Sequence, residues 1–131
     1  MAFKIYSTDD NRVPGIEYLP ASAITPKVGM ALTQTNGQLA LATGTTAPTY
    51  ISMCEKDGKC TAGDIIPVIR VGKDMILETT FAVAATSIKL GDKVTLHTGG
   101  LQVTATTDNG VAEVVYMDGG GGNGSMCRVR F

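Results

Sequence analysis

Short runs of alternating apolar and polar residues make up most of the chain, and turn-forming residues separate one run from the next. Alternation with a period of two is typical of strands that bury one face, whereas helices repeat every 3.6 residues. We therefore predict an all-β fold, with segment 82–88 as a loop or a single turn. The predicted strands span residues 16–19, 30–34, 39–43, 49–54, 65–71, 75–81, 93–97, 101–105, 111–117 and 126–131.

Pairs of residues that tolerate a positive φ angle lie between several of the predicted strands. Asparagine, aspartate and glycine adopt the left-handed backbone conformation that tight hairpin turns require. We expect a hairpin at each of these pairs. They are Asn36-Gly37, Asp57-Gly58 and Gly99-Gly100.

The two halves of the chain are similar to each other. Residues 27–33 read KVGMALT and residues 89–95 read KLGDKVT, so the two segments begin 62 residues apart (89 − 27). The same offset continues beyond them without a gap, and each half ends in a strand that contains an arginine. The matched pairs are Gly37 with Gly99, Leu39 with Leu101, Leu41 with Val103, Thr45 with Thr107 and, after the later loops, Arg70 with Arg130.

This similarity predicts a duplicated unit, and two copies are too few for a solenoid. We predict a compact β-barrel or sandwich built from two similar halves, residues 13–71 and 75–131, which are related near residues 72–74 and close one core. The two halves should share one strand order. A chain of 131 residues fits a single domain and buries enough surface to fold without disulfides or a structural metal.

Residues 1–12 lie outside the repeat. They carry three large apolar side chains, Phe3, Ile5 and Tyr6, and end just before a break at Pro14-Gly15. We predict an extended N-terminal arm that becomes ordered against a partner or a neighbouring copy, as in strand addition. The alternative is that this segment is the ordinary first strand of the β domain.

Charge and composition narrow the classes of partner. Eleven Lys and Arg against twelve Asp and Glu leave a net charge of −1, too small to suggest a nucleic-acid groove or a polybasic membrane anchor. No run approaches the ~18 apolar residues of a membrane-spanning helix, and residues 1–10 lack the pattern of an export signal. We therefore expect neither nucleic acid nor membrane as a partner.

The cysteines predict no cofactor. Cys54, Cys60 and Cys127 are odd in number, so a fully paired secreted framework is excluded within one chain and a reducing cytoplasm fits best. Cys54 and Cys60 flank five residues. A hairpin there would bring the two sulfur atoms opposite each other, where they could form a disulfide or half of a zinc site. Zinc needs two further ligands, and His97 is the one histidine, without paired spacing. We predict no metal and no obligatory disulfide.

No set of residues points to catalysis. The glycines of segment 119–125 match G-x-G-x-x-G, but a phosphate site needs a following helix, and a strand is predicted there instead. We expect a flexible surface loop. No nucleophile motif accompanies His97, and the aspartates lie mostly at turns, so we predict that the chain is not an enzyme. Arg128 and Arg130 alternate on the last strand and share one face, where they are candidates for an interface.

Segment 89–131 carries a recognisable pattern. It reads KLGDKVTL, then GGLQV, GVAEVV and CRVRF, and it resembles the head decoration, or capsid cement, proteins of tailed bacteriophages. The resemblance is clearest over residues 89–131, weaker over 27–71 and absent over 1–12.

The resemblance implies a structural protein. Proteins of this family are non-enzymatic β domains that bind the outer surface of a mature capsid, often as trimers and with an extended terminal arm. We accordingly expect a virion protein on the capsid exterior, made in the host cytoplasm, that bridges subunits of the major capsid protein and forms a homo-oligomer, with a trimer favoured. The candidate contact residues are Phe3, Ile5, Tyr6, Arg128 and Arg130.

A rival hypothesis is a small β-barrel that binds a ligand or glycan, such as a module of a phage tail or of a surface adhesin. Sugar-binding sites commonly use aromatic rings as stacking surfaces. The chain has no Trp and four Tyr, which is a thin supply for that purpose.

Overall fold

A computed structural model describes residues 2–8 and 14–131. These residues form ten strands and no helix, which confirms the all-β prediction and the expectation of a loop over residues 82–88. No helix in this part of the chain is therefore long and apolar enough to cross a membrane. The strands are β1 (Lys4–Ser7), β2 (Ile16–Pro20), β3 (Ala31–Thr35), β4 (Gln38–Leu41), β5 (Tyr50–Ser52), β6 (Ile65–Arg70), β7 (Ile76–Thr80), β8 (Lys93–Val94), β9 (Ala112–Met117) and β10 (Met126–Arg130).

The strands form two antiparallel sheets of five, and the sheets repeat one plan. The N-terminal sheet has the order β2-β6-β5-β3-β4, and the C-terminal sheet has the order β1-β7-β10-β9-β8. Strands β2, β6, β5 and β3 have counterparts in β7, β10, β9 and β8, in the same order. The predicted two similar halves are therefore present in space as well as in sequence. Strand β1 of the C-terminal sheet has no counterpart in the N-terminal sheet.

Main-chain hydrogen bonds repeat at the same offset of 62 residues. Equivalent turns and ladder ends use equivalent donors and acceptors at nearly equal distances, so the similarity extends to individual backbone groups. In the N-terminal half, the N–H groups of Gly29, Ser52 and Thr49 donate to the carbonyls of Ser52, Met30 and Leu32 at 2.8, 2.9 and 2.9 Å. In the C-terminal half, the N–H groups of Gly91, Val114 and Val111 donate to the carbonyls of Val114, Asp92 and Val94 at 2.8, 2.8 and 3.0 Å.

Three details of the predicted repeat are wrong. Equivalent isolated bridges join Ala21 to Leu39 and Phe81 to Val103, so Val103 is the counterpart of Leu39 rather than of Leu41. Segment 101–105 is not a strand, because Val103 makes only isolated bridges and the carbonyl of Leu101 accepts from Thr79 Oγ1 at 2.7 Å instead of joining a ladder. The final strands match at an offset of 61 rather than 60. Buried Val68 corresponds to buried Val129, so Arg130 takes the place of Ile69 rather than that of Arg70.

The core has two parts. A smaller cluster of buried side chains packs on the N-terminal sheet. A larger cluster packs on the C-terminal sheet and in the boundary between the two halves. Strand β5 shows the division, because Tyr50 points into the smaller cluster and Ile51 into the larger. The N-terminal sheet is thus buried on parts of both faces, and the two halves stabilise each other.

The N-terminal segment is extended, as predicted, but it lies on its own domain. Strand β1 pairs with β7, and Phe3 is 2% exposed. The N–H of Phe3 donates to the carbonyl of Gly29 at 3.0 Å, and its ring meets that of Phe131 edge to face at 5.7 Å. The prediction that three apolar side chains are free to dock elsewhere is therefore wrong for Phe3. Residues 1 and 9–12 of the predicted arm lie outside the described residues.

The glycine-rich loops are only partly as expected. Asn36 and Gly37 have φ angles of 52° and 76°, which fits the two-residue hairpin between β3 and β4. The predicted flexibility of segment 119–125 is wrong at Gly121, which is buried and accepts a hydrogen bond from the N–H of Ala85 at 2.6 Å. A side chain at Gly121 would collide with the Ala85 carbonyl, so this loop is docked on the domain.

Equivalent glycines in the two halves provide a test of how firmly β1 is seated. Gly29 and Gly91 both have positive φ angles, 83° and 95°, so either substitution to Ala costs about 1–2 kcal/mol of backbone strain. A Cβ at Gly29 would also collide with the carbonyl oxygen of Phe3, whereas a Cβ at Gly91 would meet no neighbouring atom. We expect Gly29→Ala to lower the free energy of unfolding by about 1–3 kcal/mol more than Gly91→Ala, measured by urea denaturation. Equal losses would contradict this placement of β1.

Candidate interaction surface

An arginine lies between two tyrosine rings on the outer face of the C-terminal sheet. The guanidinium carbon of Arg128 is 3.7 Å from the ring centroid of Tyr6 and 4.5 Å from that of Tyr116. The sheet positions these groups directly, because Arg128 on β10 is paired with Tyr116 on β9, and Tyr6 comes from the edge strand β1. Tyr6 and Tyr116 remain 53% and 38% exposed, so both rings are accessible at the surface.

A carboxylate holds the arginine in place. Glu78 on β7 accepts from Arg128 Nε at 3.1 Å and pairs with Lys4 Nζ, also at 3.1 Å. Its side chain is only 14% exposed. The hydrogen bond from Lys4, and then that from Arg128, keep the pKa of Glu78 below its ordinary value of 4.5. Lys4, Glu78, Arg128 and Tyr116 thus form one row across four adjacent strands, which with Tyr6 we call the tyrosine–arginine cluster.

The structure brings together some of the predicted contact residues and separates others. Tyr6 and Arg128 are in direct contact. Arg130 lies on the same face but pairs with Glu113 at 3.0 Å. Phe3 is in the core, and Ile5 packs against that core from its half-buried position.

Sequence reasoning missed Lys4, Glu78 and Tyr116. Alternation along β7 marks Glu78 as a candidate for the solvent face, whereas alternation along β9 groups Tyr116 with the buried Ala112 and Val114. The contacts of Glu78 and Tyr116 with Arg128 depend on strand register. Strand β9 pairs with β10 through an irregularity between Arg128 and Val129. No local sequence signal gives that register.

A second surface is apolar and lies on the outer face of the N-terminal sheet, which we call the apolar face. Tyr18 on β2 and Met53, which follows β5, flank Pro67, and the N–H of Met53 donates to the Pro67 carbonyl at 2.9 Å. A groove of about 150 Å³ separates this face from β1. The exposed apolar residues here are Ile16 (53%), Tyr18 (67%), Val28 (48%), Met53 (41%) and Ile65 (60%). Apolar patches of this kind commonly mark interaction sites.

The described residues contain no group of three His, Cys, Asp or Glu side chains that could hold a metal ion. All three cysteines are free thiols. Burial, and secondarily the charge of Glu78, raise the pKa of Cys127 to about 12, so this thiol is neutral near neutral pH and a poor nucleophile. His97 donates its main-chain N–H to the carbonyl of Gln102 at 2.8 Å, at the base of the turn at residues 99–100.

No protein-family model matches the sequence, and no curated protein matches it. The tyrosine–arginine cluster and the apolar face are therefore the observations from which a function is inferred.

The hydrogen bonds that Glu78 accepts from Lys4 and Arg128 predict sensitivity to acid. A carboxylate whose pKa is lowered by folding stabilises the native state above its unfolded pKa, and this contribution is lost as the pH falls through the folded pKa. We expect the free energy of unfolding to decrease as the pH falls below about 4.5, and Glu78→Gln to remove part of that decrease. Urea denaturation between pH 7 and about pH 3 measures it. Asp108→Asn, at an exposed turn, is the control. An unchanged pH profile in Glu78→Gln would refute the role assigned to Glu78.

Proposed function

We propose that this protein is a structural virion protein that binds the outer surface of a bacteriophage capsid and stabilises it by bridging subunits of the major capsid protein. The observation that carries the proposal is the exposed tyrosine–arginine cluster, which the half-buried ion pair between Arg128 and Glu78 holds in one arrangement. The resemblance of segment 89–131 to capsid decoration proteins supports the same function.

The chemistry of the cluster suits a protein partner. Tyrosine and arginine are over-represented among the residues that dominate binding energy at protein interfaces. Arg128 contacts two rings and a carboxylate, so it loses little conformational freedom when a partner covers it. The cluster also lies on a sheet, which holds its members more rigidly than a loop would.

Capsid stabilisation of this kind depends on many modest contacts. A homo-oligomer, with a trimer favoured, presents several copies of the cluster to neighbouring capsid subunits. Linked contacts of this sort gain strongly in overall affinity once the first is made, even where each contact is weak. The proposed location is the exterior of the virion, after synthesis in the host cytoplasm.

The alternative function is that of a ligand- or glycan-binding module in a phage tail or surface adhesin. The observation in its favour is an apolar cleft of about 310 Å³, which Ile24, Met30, Leu41 and Leu101 line together with Lys27. Such a cleft suits a small apolar group better than a sugar, whose hydroxyls need several polar partners. The two exposed rings of the cluster are also partly covered by Arg128.

Co-sedimentation with expanded capsids that lack a decoration protein tests the proposal. The capsids are assembled from a major capsid protein encoded in the same genome as this chain, and the absence of such a gene would count against the proposal. We expect the protein to pellet with them and not with free polysaccharide. The double variant Tyr6→Ala, Tyr116→Ala should bind about tenfold or more weakly, the loss typical of removing interface hot spots.

Leu90→Ala is the matched control, since Leu90 is 62% exposed and lies outside the cluster. We expect its capsid binding to equal that of the unmodified protein. Absence of capsid binding, or equal binding by the double variant, would overturn the proposal.

A further inference from the structure

The internal repeat contains one position that is filled in the C-terminal half and open in the N-terminal half. Strand β7 carries β1 on its outer edge, where Lys4 is paired with Glu78 and Ile5 with Leu77. Strand β2 is the counterpart of β7, and the main-chain bonds at their ends match. Among the described residues, no strand lies beside residues 16–18 of β2 in the place that β1 takes on β7, and β4 reaches this edge only at Ala21, through an isolated bridge to Leu39.

The direction of the main-chain groups along β2 follows from its flanking hydrogen bonds. The N–H of Ala21 donates to Asp64 on the β6 side, at 2.7 Å, and the N–H of Ser22 donates to Leu39 on the opposite side, at 2.9 Å. Because successive residues of a strand alternate, Ile16 and Tyr18 present their N–H and C=O groups on the same side as Ser22, away from β6. These are the donors and acceptors of an open edge.

The neighbouring strand supports this assignment. Pro67 is paired with Tyr18, and its carbonyl accepts from Met53, the residue that follows β5. Pro67 therefore directs its main chain away from β2, so the Tyr18–Pro67 pair is one without mutual hydrogen bonds. The same alternation holds around β7, where the N–H of Ala82 donates to the Val103 carbonyl at 2.8 Å and Glu78 faces β1.

The side chains at the two edges differ in a way that indicates the occupant. Glu78 has Lys4 as its ionic partner, whereas its counterpart Tyr18 is aromatic and 67% exposed. Ile76 is half-buried beside β1, whereas its counterpart Ile16 is 53% exposed. A strand on β2 would therefore cover these residues best with apolar side chains in place of the lysine.

We propose that the edge of β2 at Ile16 and Tyr18 accepts an extended, apolar segment of another polypeptide as an added antiparallel strand. The next outward position is Pro20, which has no N–H, so the added ladder is as short as that of the four-residue β1. Strand addition takes its affinity from main-chain hydrogen bonds and its specificity from alternate side chains. The proposal is independent of capsid binding by the cluster, which lies on the other sheet.

The occupant is not β1 of a second copy. In each copy, β1 already pairs with β7 along one edge, and the N–H of Phe3 donates to Gly29 on the other side. A second copy could offer its β1 only by giving up these bonds, so the occupant that we propose is a segment of a different polypeptide.

Titration with a synthetic peptide tests the proposal. The probe has the sequence of residues 2–8 with Lys4→Val, because that segment pairs with the equivalent edge and the residue opposite position 4 is now Tyr18. Amide resonances of the full-length, isotope-labelled protein report where it binds. We expect saturable shifts centred on Ile16 and Tyr18. The same peptide with a methyl group on the amide nitrogen of that valine should lose the response, because this amide faces the edge.

Two variants at one position separate strand addition from a merely adhesive surface. Tyr18→Pro removes an outward N–H without taking a donor from the β2–β6 ladder, whereas Tyr18→Val keeps that N–H. We expect Tyr18→Val to retain saturable shifts and Tyr18→Pro to lose them, with circular dichroism as the check on folding. If Tyr18→Pro does not fold, the methylated peptide on the unmodified protein decides.

Several results would overturn the proposal. These are the absence of saturable shifts at Ile16 and Tyr18, an equal response to the methylated peptide, or shifts confined to β7 through displacement of β1. Self-association that Tyr18→Pro abolishes would show a second copy to be the occupant, and it would overturn the assignment to a different polypeptide.

Discussion

The pairing of β1 with β7 is the interaction on which the rest of the structure depends. It places Phe3 in the core between the halves, with its N–H on the Gly29 carbonyl of the other half. It also brings Lys4 to Glu78 and Tyr6 to Arg128, so the tyrosine–arginine cluster exists only while β1 is seated. Because the described residues contain one such strand for two equivalent edges, the same pairing leaves the edge of β2 open.

The two halves share a backbone plan but fill their cores differently. In the N-terminal half, Ala21 and Tyr50 belong to one buried cluster. Their counterparts, Phe81 and Ala112, belong to the other cluster, so the aromatic and the alanine have exchanged places. Each half therefore has one aromatic residue and one alanine at these two buried positions. The duplicated unit therefore tolerates divergence of side chains while its turns and ladder ends keep the same hydrogen bonds.

Much of the fold can be predicted from sequence, because alternation and turn chemistry are local properties. Nine of the ten observed strands overlap predicted ones, and the turn at Asn36-Gly37 is as expected. Strand β1 was predicted as an arm because it lies outside the repeat. The tyrosine–arginine cluster could be predicted only in part, because contact between Arg128 and Tyr116 depends on a register irregularity. Burial of Gly121 could not be predicted either, because it depends on docking of the loop on Ala85. Long-range contacts of this kind leave no local pattern in the sequence.

Native-state amide hydrogen exchange tests the central claim most directly, because it reports the seating of β1 and the openness of β2 in one experiment. The amide of Lys4 faces β7, and the amide of Tyr18 faces outward from β2. The account predicts that the Lys4 amide exchanges far more slowly than the Tyr18 amide. Exchange of Lys4 as fast as that of Tyr18 would contradict it, because β1 would then not be a stable strand of the C-terminal sheet.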